Sequence, residues 1–206
     1  MNRDHNIDLR RGTIVLLTVL SVWGLGVAIA AEAGVYRAIY PPLMGPIVAA
    51  GIIIPMIVYA WSKSFRGYIE AVGLRPLTAF HVWRIPAALL FFWYGAHDLL
   101  PPVFVRNAAW GDLLAGIFAV IILIMPESRN RYLAFHIFGF ADFVVAVGTG
   151  LTFTLLGDPR MAGIQTLPMA LIPLFGVGIS GASHLMAFDL LRRRSGFRGN
   201  PSQLAI

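Results

Sequence analysis

The sequence predicts an all-α integral membrane protein, a bundle of six antiparallel transmembrane helices with both termini in the cytoplasm. Hydrophobic residues make up 58% of the 206-residue chain, charged residues make up 13%, and the mean hydropathy is +0.75. A soluble domain carries about 25% charged residues. We therefore expect a single transmembrane domain at 13–191, with a polar cytoplasmic arm at 1–12 and a basic cytoplasmic tail at 192–206.

The apolar residues fall into runs long enough to cross a bilayer, which takes about 20 residues of helix. Short polar or Pro/Gly-rich joints separate the runs. The first run follows Arg10 and Arg11 and resembles a signal peptide, but it is rather long for one, so we expect an uncleaved anchor. The predicted spans lie near 13–31, 43–61, 77–100, 107–125, 132–155 and 167–190.

Lys and Arg residues are unevenly distributed between the two ends of these spans. Twelve of the 16 fall on one side and three on the other, which by the positive-inside rule places both termini in the cytoplasm. The larger group comprises Arg3, Arg10, Arg11, Lys63, Arg66, Arg75, Arg129, Arg131, Arg192, Arg193, Arg194 and Arg198, and the smaller comprises Arg37, Arg106 and Arg160.

This distribution of charge also bears on partners. The net charge of +6 comes from helix ends rather than from one basic face, so we expect no nucleic-acid binding. The expected partners are the lipid bilayer and either another membrane protein or a second copy of the chain. The chain has no Cys, which excludes disulfides, iron–sulfur clusters, thiolate metal sites and covalently attached haem.

One carboxylate, Asp142, lies near the middle of the fifth predicted span. A charge at that depth costs about 2.5–3.5 kcal/mol on insertion scales, so it should face the bundle interior and have a partner. Arg84, within the third predicted span, is the leading candidate. Such a pair either lies on a proton or ion pathway or fixes the packing of two helices, and the sequence leaves both interpretations open.

Three further polar residues are assigned to the same polar centre. Thr149 falls on the same helical face as Asp142, while Ser180 and His184 share a stripe of the sixth span. The resulting polar centre and the near absence of large loops favour a small transporter or an accessory subunit of a larger membrane complex over most enzymes. The string 178–181 resembles the Gly-x-Ser-Gly of rhomboid proteases, but small residues packing a membrane helix account for it.

The competing hypothesis is a membrane redox protein. His136 and His184 lie at similar predicted depths on adjacent spans, so they could ligate a b-type haem or another metal. Histidines satisfied by hydrogen bonds near the membrane interface are the alternative interpretation of the same residues.

Four further polar residues fall at the predicted outer ends of the spans, where they could line a vestibule or bind a cation. They are Glu32, His97, Asp98 and Asp112. Asp112 is equally explained as an acid in the first turns of the fourth helix, which Asn107 could cap.

A broader resemblance rests on short motifs spread over residues 75–190. They are Arg84, the turn 101–104, Gly111 with Asp112, the string 139–142, Pro168, Pro173 and His184. Taken together they resemble a family of small multipass bacterial inner-membrane proteins that has no established activity. The resemblance implies a multipass protein of a bacterial inner membrane and adds no chemistry.

Overall fold

The computed structural model describes the backbone of residues 2–196 and the side chains of residues 9–193. Over this part of the chain it is helical and contains no strand. Its α-helices are α1 Asn2–Glu32, α2 Met44–Trp61, α3 Lys63–Val72, α4 Leu74–Phe80, α5 Arg84–Ala96, α6 Pro102–Ile124, α7 Arg129–Leu155 and α8 Val177–Gly196. The predicted arm is part of α1. The His5 side chain and the tail beyond residue 196 lie outside the described residues.

Within the described residues, five helical segments are long and apolar enough to cross a membrane. They are Leu9–Glu32, Pro41–Trp61, Pro102–Ile124, Arg129–Leu155 and Ile172–Arg193. They correspond to the first, second, fourth, fifth and sixth predicted spans, which confirms these as long apolar helices. Such helices suggest a lipid bilayer environment.

The third predicted span, 77–100, is not one continuous helix. The chain forms α4, then a 3₁₀ turn at His81–Trp83, then α5. Pro86 has no N–H and cannot donate to the carbonyl of Val82, so a regular α-helix is interrupted just here. Over the described residues, the six predicted spans therefore correspond to five long apolar helices and one segment in which a 3₁₀ turn separates two shorter helices, which we call the broken segment.

The start of the sixth segment is also irregular. A π-helical turn at Ile172–Gly176, which contains Pro173, precedes α8. The two irregular segments touch each other, because the ring of Trp83 occupies the space where a side chain on Gly176 would lie. The Trp83 indole also donates to Ser180 Oγ at 3.2 Å. Two breaks in regular helix therefore meet inside the bundle.

Helix α6 packs against both α5 and α7. Small residues make this close packing possible, and Ala109, Ala115 and Ala119 are fully buried. The fourth and fifth predicted spans are therefore direct neighbours. Because α6 begins at Pro102, Asn107 lies inside the helix rather than capping it, and its side chain donates to Thr149 Oγ1 at 3.1 Å.

On α7, Gly139 is buried, whereas Ile137 and Val144 are exposed large apolar residues, as side chains that face lipid would be. The structure therefore directs Asp142 toward the neighbouring helices, where its partner lies.

Candidate functional site

The polar centre of the bundle is built around the guanidinium of Arg84. Its Nε donates to Asp112 Oδ1 at 2.6 Å, its Nη2 donates to Asp142 Oδ2, and its Nη1 donates to the Gly139 carbonyl at 3.2 Å. The Arg84 side chain is 3% exposed, and the two carboxylates are 11% and 10% exposed. The predicted partnership of Arg84 with Asp142 is confirmed, and one cation binds two acids from different helices.

Two glycines allow these groups to approach so closely. A side chain on Gly111 would overlap the Asp142 carboxylate. A Cβ on Gly139 would lie 2.7 Å from His184 Cε1 and 3.5 Å from Arg84 Nη1. The backbone of α6 and α7 is therefore part of the site, because it leaves room for charged side chains that would otherwise be excluded.

The structure separates Asp112 from the predicted outer vestibule. Helix α6 begins five residues earlier than the sequence predicted, so Asp112 lies about 15 Å along its axis rather than in the first turns. It is 7% exposed and bonded to Arg84.

The other three vestibule residues remain at the surface, where Asp98 pairs with Arg160 at 3.2 Å. The ring of His97 lies against that of Trp93, with the ring centroids 4.2 Å apart and the planes tilted by 31°. Arg160 also donates hydrogen bonds to Asp158, which lower the pKa of that carboxyl. The structure gives Glu32 no role beyond its exposed position at the end of α1.

A second cluster, which we call the histidine cluster, consists of His81, His136 and His184. All three imidazoles are completely buried, and their candidate ligand atoms lie within 4.8 Å of one another. His136 Nδ1 and His184 Nδ1 are hydrogen-bonded at 2.9 Å, and the rings of His81 and His184 stack with centroids 4.0 Å apart. The predicted proximity of His136 and His184 is confirmed, and His81 is an unpredicted third member.

The histidine cluster does not fit a haem held between His136 and His184. An iron between two axial imidazoles separates their nitrogens by about 4 Å, since each metal–nitrogen bond is about 2 Å long. The macrocycle must also pass between the rings. The two imidazoles are instead in direct hydrogen-bonding contact at 2.9 Å, with ring centroids 5.1 Å apart, so they leave no space for a porphyrin.

Ser180 and Thr149 were both predicted to belong to the polar centre. Ser180 is 2% exposed and, together with Arg84 and Asp112, lines a cavity. The Thr149 hydroxyl instead donates to the Val145 carbonyl at 2.7 Å and accepts from Asn107. The structure thus brings Ser180 to the centre and gives Thr149 a role in joining α6 to α7.

The cavity has a volume of about 240 Å³ and lies among α2, α5, α6, α7 and α8. Its wall is largely apolar and includes the aromatic rings of Phe91, Phe104 and Phe143. Arg84 and Asp112 supply the charged part of the lining. Trp83 and Pro173, from the two irregular segments, also face it. A largely apolar pocket with a few convergent polar groups is the usual form of a small-molecule site.

These features define a helical protein with candidate membrane spans and a buried centre of Arg, Asp and His residues. Residues 41–192 match the family model described as Domain of unknown function (DUF8737), and the chain belongs to that family. The match contains every residue of the Arg84 centre and of the histidine cluster. No curated protein and no solved structure matches the chain.

Proposed function

We propose that this protein is a small transporter of the bacterial inner membrane, and that it binds a largely apolar cation in the cavity beside Arg84 and Asp112. The observation that carries the proposal is the position of the buried charges, which line a cavity of about 240 Å³ whose wall is otherwise mostly apolar. That volume lies just below the range of about 300–1,000 Å³ typical of drug-sized ligands, so it suits a compact molecule.

The balance of charge favours a cation. Arg84 carries one positive charge, whereas Asp112 and Asp142 together carry two negative charges when both are ionised. A buried net charge is costly, and either a bound cation or a proton on one carboxylate would neutralise it. A ligand cation and a proton therefore compete for the same place, which is the physical basis for exchanging one for the other.

The cavity wall supports the same class of ligand. A cation is attracted to the faces of aromatic rings, which are a common means of recognising quaternary ammonium groups. Phe91, Phe104 and Phe143 supply such rings here. Many transporters also bind their substrates where membrane helices are discontinuous, and both irregular segments of this chain border the cavity.

The broken segment of α4 and α5 would complete six crossings and place both termini in the cytoplasm, as the distribution of basic residues predicts. An accessory subunit of a larger complex is the alternative function. It would be supported by stoichiometric partner proteins in native mass spectrometry after gentle extraction, together with the absence of a bound small molecule.

Ligand binding is tested with two probes of nearly equal shape. Benzyltrimethylammonium is a permanent cation, and neopentylbenzene is its uncharged isostere. In lipid nanodiscs, we expect the cation alone to raise the Tm of the wild type and to have little effect on Asp112→Asn. Asp98→Asn, which changes an exposed acid, is the matched control and should behave as the wild type does. Equal effects of both probes, or no effect of either, would contradict the proposal.

A further inference from the structure

The histidine cluster has features of a metal site that the transport proposal does not use. His81 comes from the 3₁₀ turn, His136 from α7 and His184 from α8, so three separate elements bring their imidazoles together. Burying three polar rings completely is costly unless their nitrogens are satisfied. Among the described residues, however, His81 Nδ1 and His184 Nε2 are buried and have no hydrogen-bond partner.

The hydrogen bonds of Ser183 determine which nitrogen of His81 carries the proton. The Ser183 hydroxyl donates its only hydrogen to the Ser180 carbonyl at 2.9 Å. Its contact with His81 Nε2 at 3.0 Å must therefore be one in which His81 donates. His81 Nδ1 then carries a lone pair that is buried and accepts no hydrogen bond in the described structure. A metal ion is a partner that would satisfy it.

His136 is held in a similar way. Its Nε2 lies 3.3 Å from Thr78 Oγ1, while its Nδ1 faces His184 Nδ1. Metal-bound histidines almost always hydrogen-bond through the second ring nitrogen, which fixes the orientation of the ring. His81 and His136 therefore each have a contact at Nε2 of the kind that metal ligands have, and Nδ1 is the remaining nitrogen of each ring.

We infer that His81, His136 and His184 form a binding site for a late first-row divalent transition metal, of which Zn²⁺ and Cu²⁺ are the best representatives. Imidazole nitrogens suit these ions, and neutral imidazole is the form that binds them. The neighbouring Arg84 centre, with its excess of one carboxylate, would offset part of the charge of the ion.

The required movement is small. Nitrogens around a tetrahedral zinc ion lie about 3.3 Å apart, given bonds of about 2.0–2.1 Å. In the structure one ring nitrogen from each of the three histidines lies within 4.8 Å of the other two, and the contact between His136 and His184 is 2.9 Å long. Three protein ligands would leave a fourth position open to water or another small ligand.

Metal content and affinity provide the test, on full-length protein purified without a polyhistidine tag. We expect one Zn²⁺ or Cu²⁺ bound per chain, and a visible spectrum typical of tetrahedral coordination after loading with Co²⁺. His81→Ala and His136→Ala should bind no metal. His97→Ala is the matched control, because it removes an exposed imidazole outside the cluster, and it should bind as the wild type does.

A second variant keeps the test decisive if the histidine variants fail to fold. Ser183→Ala leaves all three imidazoles in place and removes the acceptor that orients His81. Loss of such a contact lowers metal affinity by about 10–100-fold, and we expect a decrease in that range. Wild-type protein that binds none of the three ions, or Ser183→Ala and His81→Ala variants that bind them as tightly as the wild type, would overturn the inference.

Discussion

The guanidinium of Arg84 and the carboxylate of Asp142 are joined by an ion pair inside the helical bundle. The same guanidinium binds Asp112 at 2.6 Å, so a single cation connects α5, α6 and α7. Each acid has Arg84 as its ion-pair partner in the described structure. The cation is therefore the member of the group whose loss should cost the most.

Replacing this cation should destabilise the protein strongly. Arg84→Met keeps an extended side chain but leaves two buried carboxylates without a counter-charge, and breaking a buried pair costs about 3–5 kcal/mol. We expect a loss of that size in the free energy of unfolding in detergent micelles. Arg106→Met, on the exposed face of α6, is the control and should change stability by no more than about 0.5 kcal/mol. Similar losses in the two variants would show that Arg84 has no structural role.

Neutralising all three groups together should reverse part of that loss. The triple variant Arg84→Met, Asp112→Asn, Asp142→Asn contains no buried charge, and a neutral replacement of a charge network is often tolerated. We expect it to unfold at a higher denaturant concentration than Arg84→Met alone. A triple variant that is less stable than the single one would mean that the carboxylates stabilise the fold by contacts other than those with Arg84.

Close packing at α7 gives a matched pair of glycine substitutions. A methyl group on Gly139 would press against the ring of His184, whereas Gly148 on the same helix faces open space. Forcing extra volume into a packed core costs about 1–3 kcal/mol, so Gly139→Ala should lower the Tm and Gly148→Ala should not. If both variants unfold at the same temperature, α7 does not pack in the way described.

The broken segment has a direct consequence for topology. If α4 and α5 together cross the membrane, both termini lie on the same side, whereas five crossings would place them on opposite sides. We expect a reporter active only in the periplasm to be inactive when fused to either terminus, and a fluorescent protein that folds in the cytoplasm to be active at both. Periplasmic activity at one end alone would show that the broken segment does not cross.

Much of the fold follows from the sequence because apolar length and helical periodicity are local properties. Arg84 could be paired with Asp142 because it is the basic residue that lies within an apolar segment, away from the helix ends. Asp112 was assigned to the outer surface because the start of its helix was placed at 107. The prolines at 101 and 102 mark the true start, as proline commonly does at the first turn.

The histidine cluster was harder to predict. His81 lies three residues before Arg84, in a stretch where Pro86 interrupts the regular helical spacing, so periodicity does not indicate which way its ring points. Its nearness to His184 depends on the contact between two irregular segments, and that contact is a property of the tertiary fold. In the sequence, the proline of Pro86-Ala87, two residues after Arg84, indicates that the third span is not one regular helix.

Transport of a cation tests the central claim most directly. Because one cation replaces one proton in the proposed exchange, no net charge moves and the proton is the species to follow. Proteoliposomes that enclose a pH-sensitive dye in an acidic lumen report loss of protons when benzyltrimethylammonium is added outside, and a permanent cation does not cross a bare bilayer readily. We expect the lumen to become more alkaline with the wild type and with Asp98→Asn, and not with Asp112→Asn or in protein-free liposomes. A wild-type signal no larger than that of protein-free liposomes, or an equal signal from Asp112→Asn, would contradict the account.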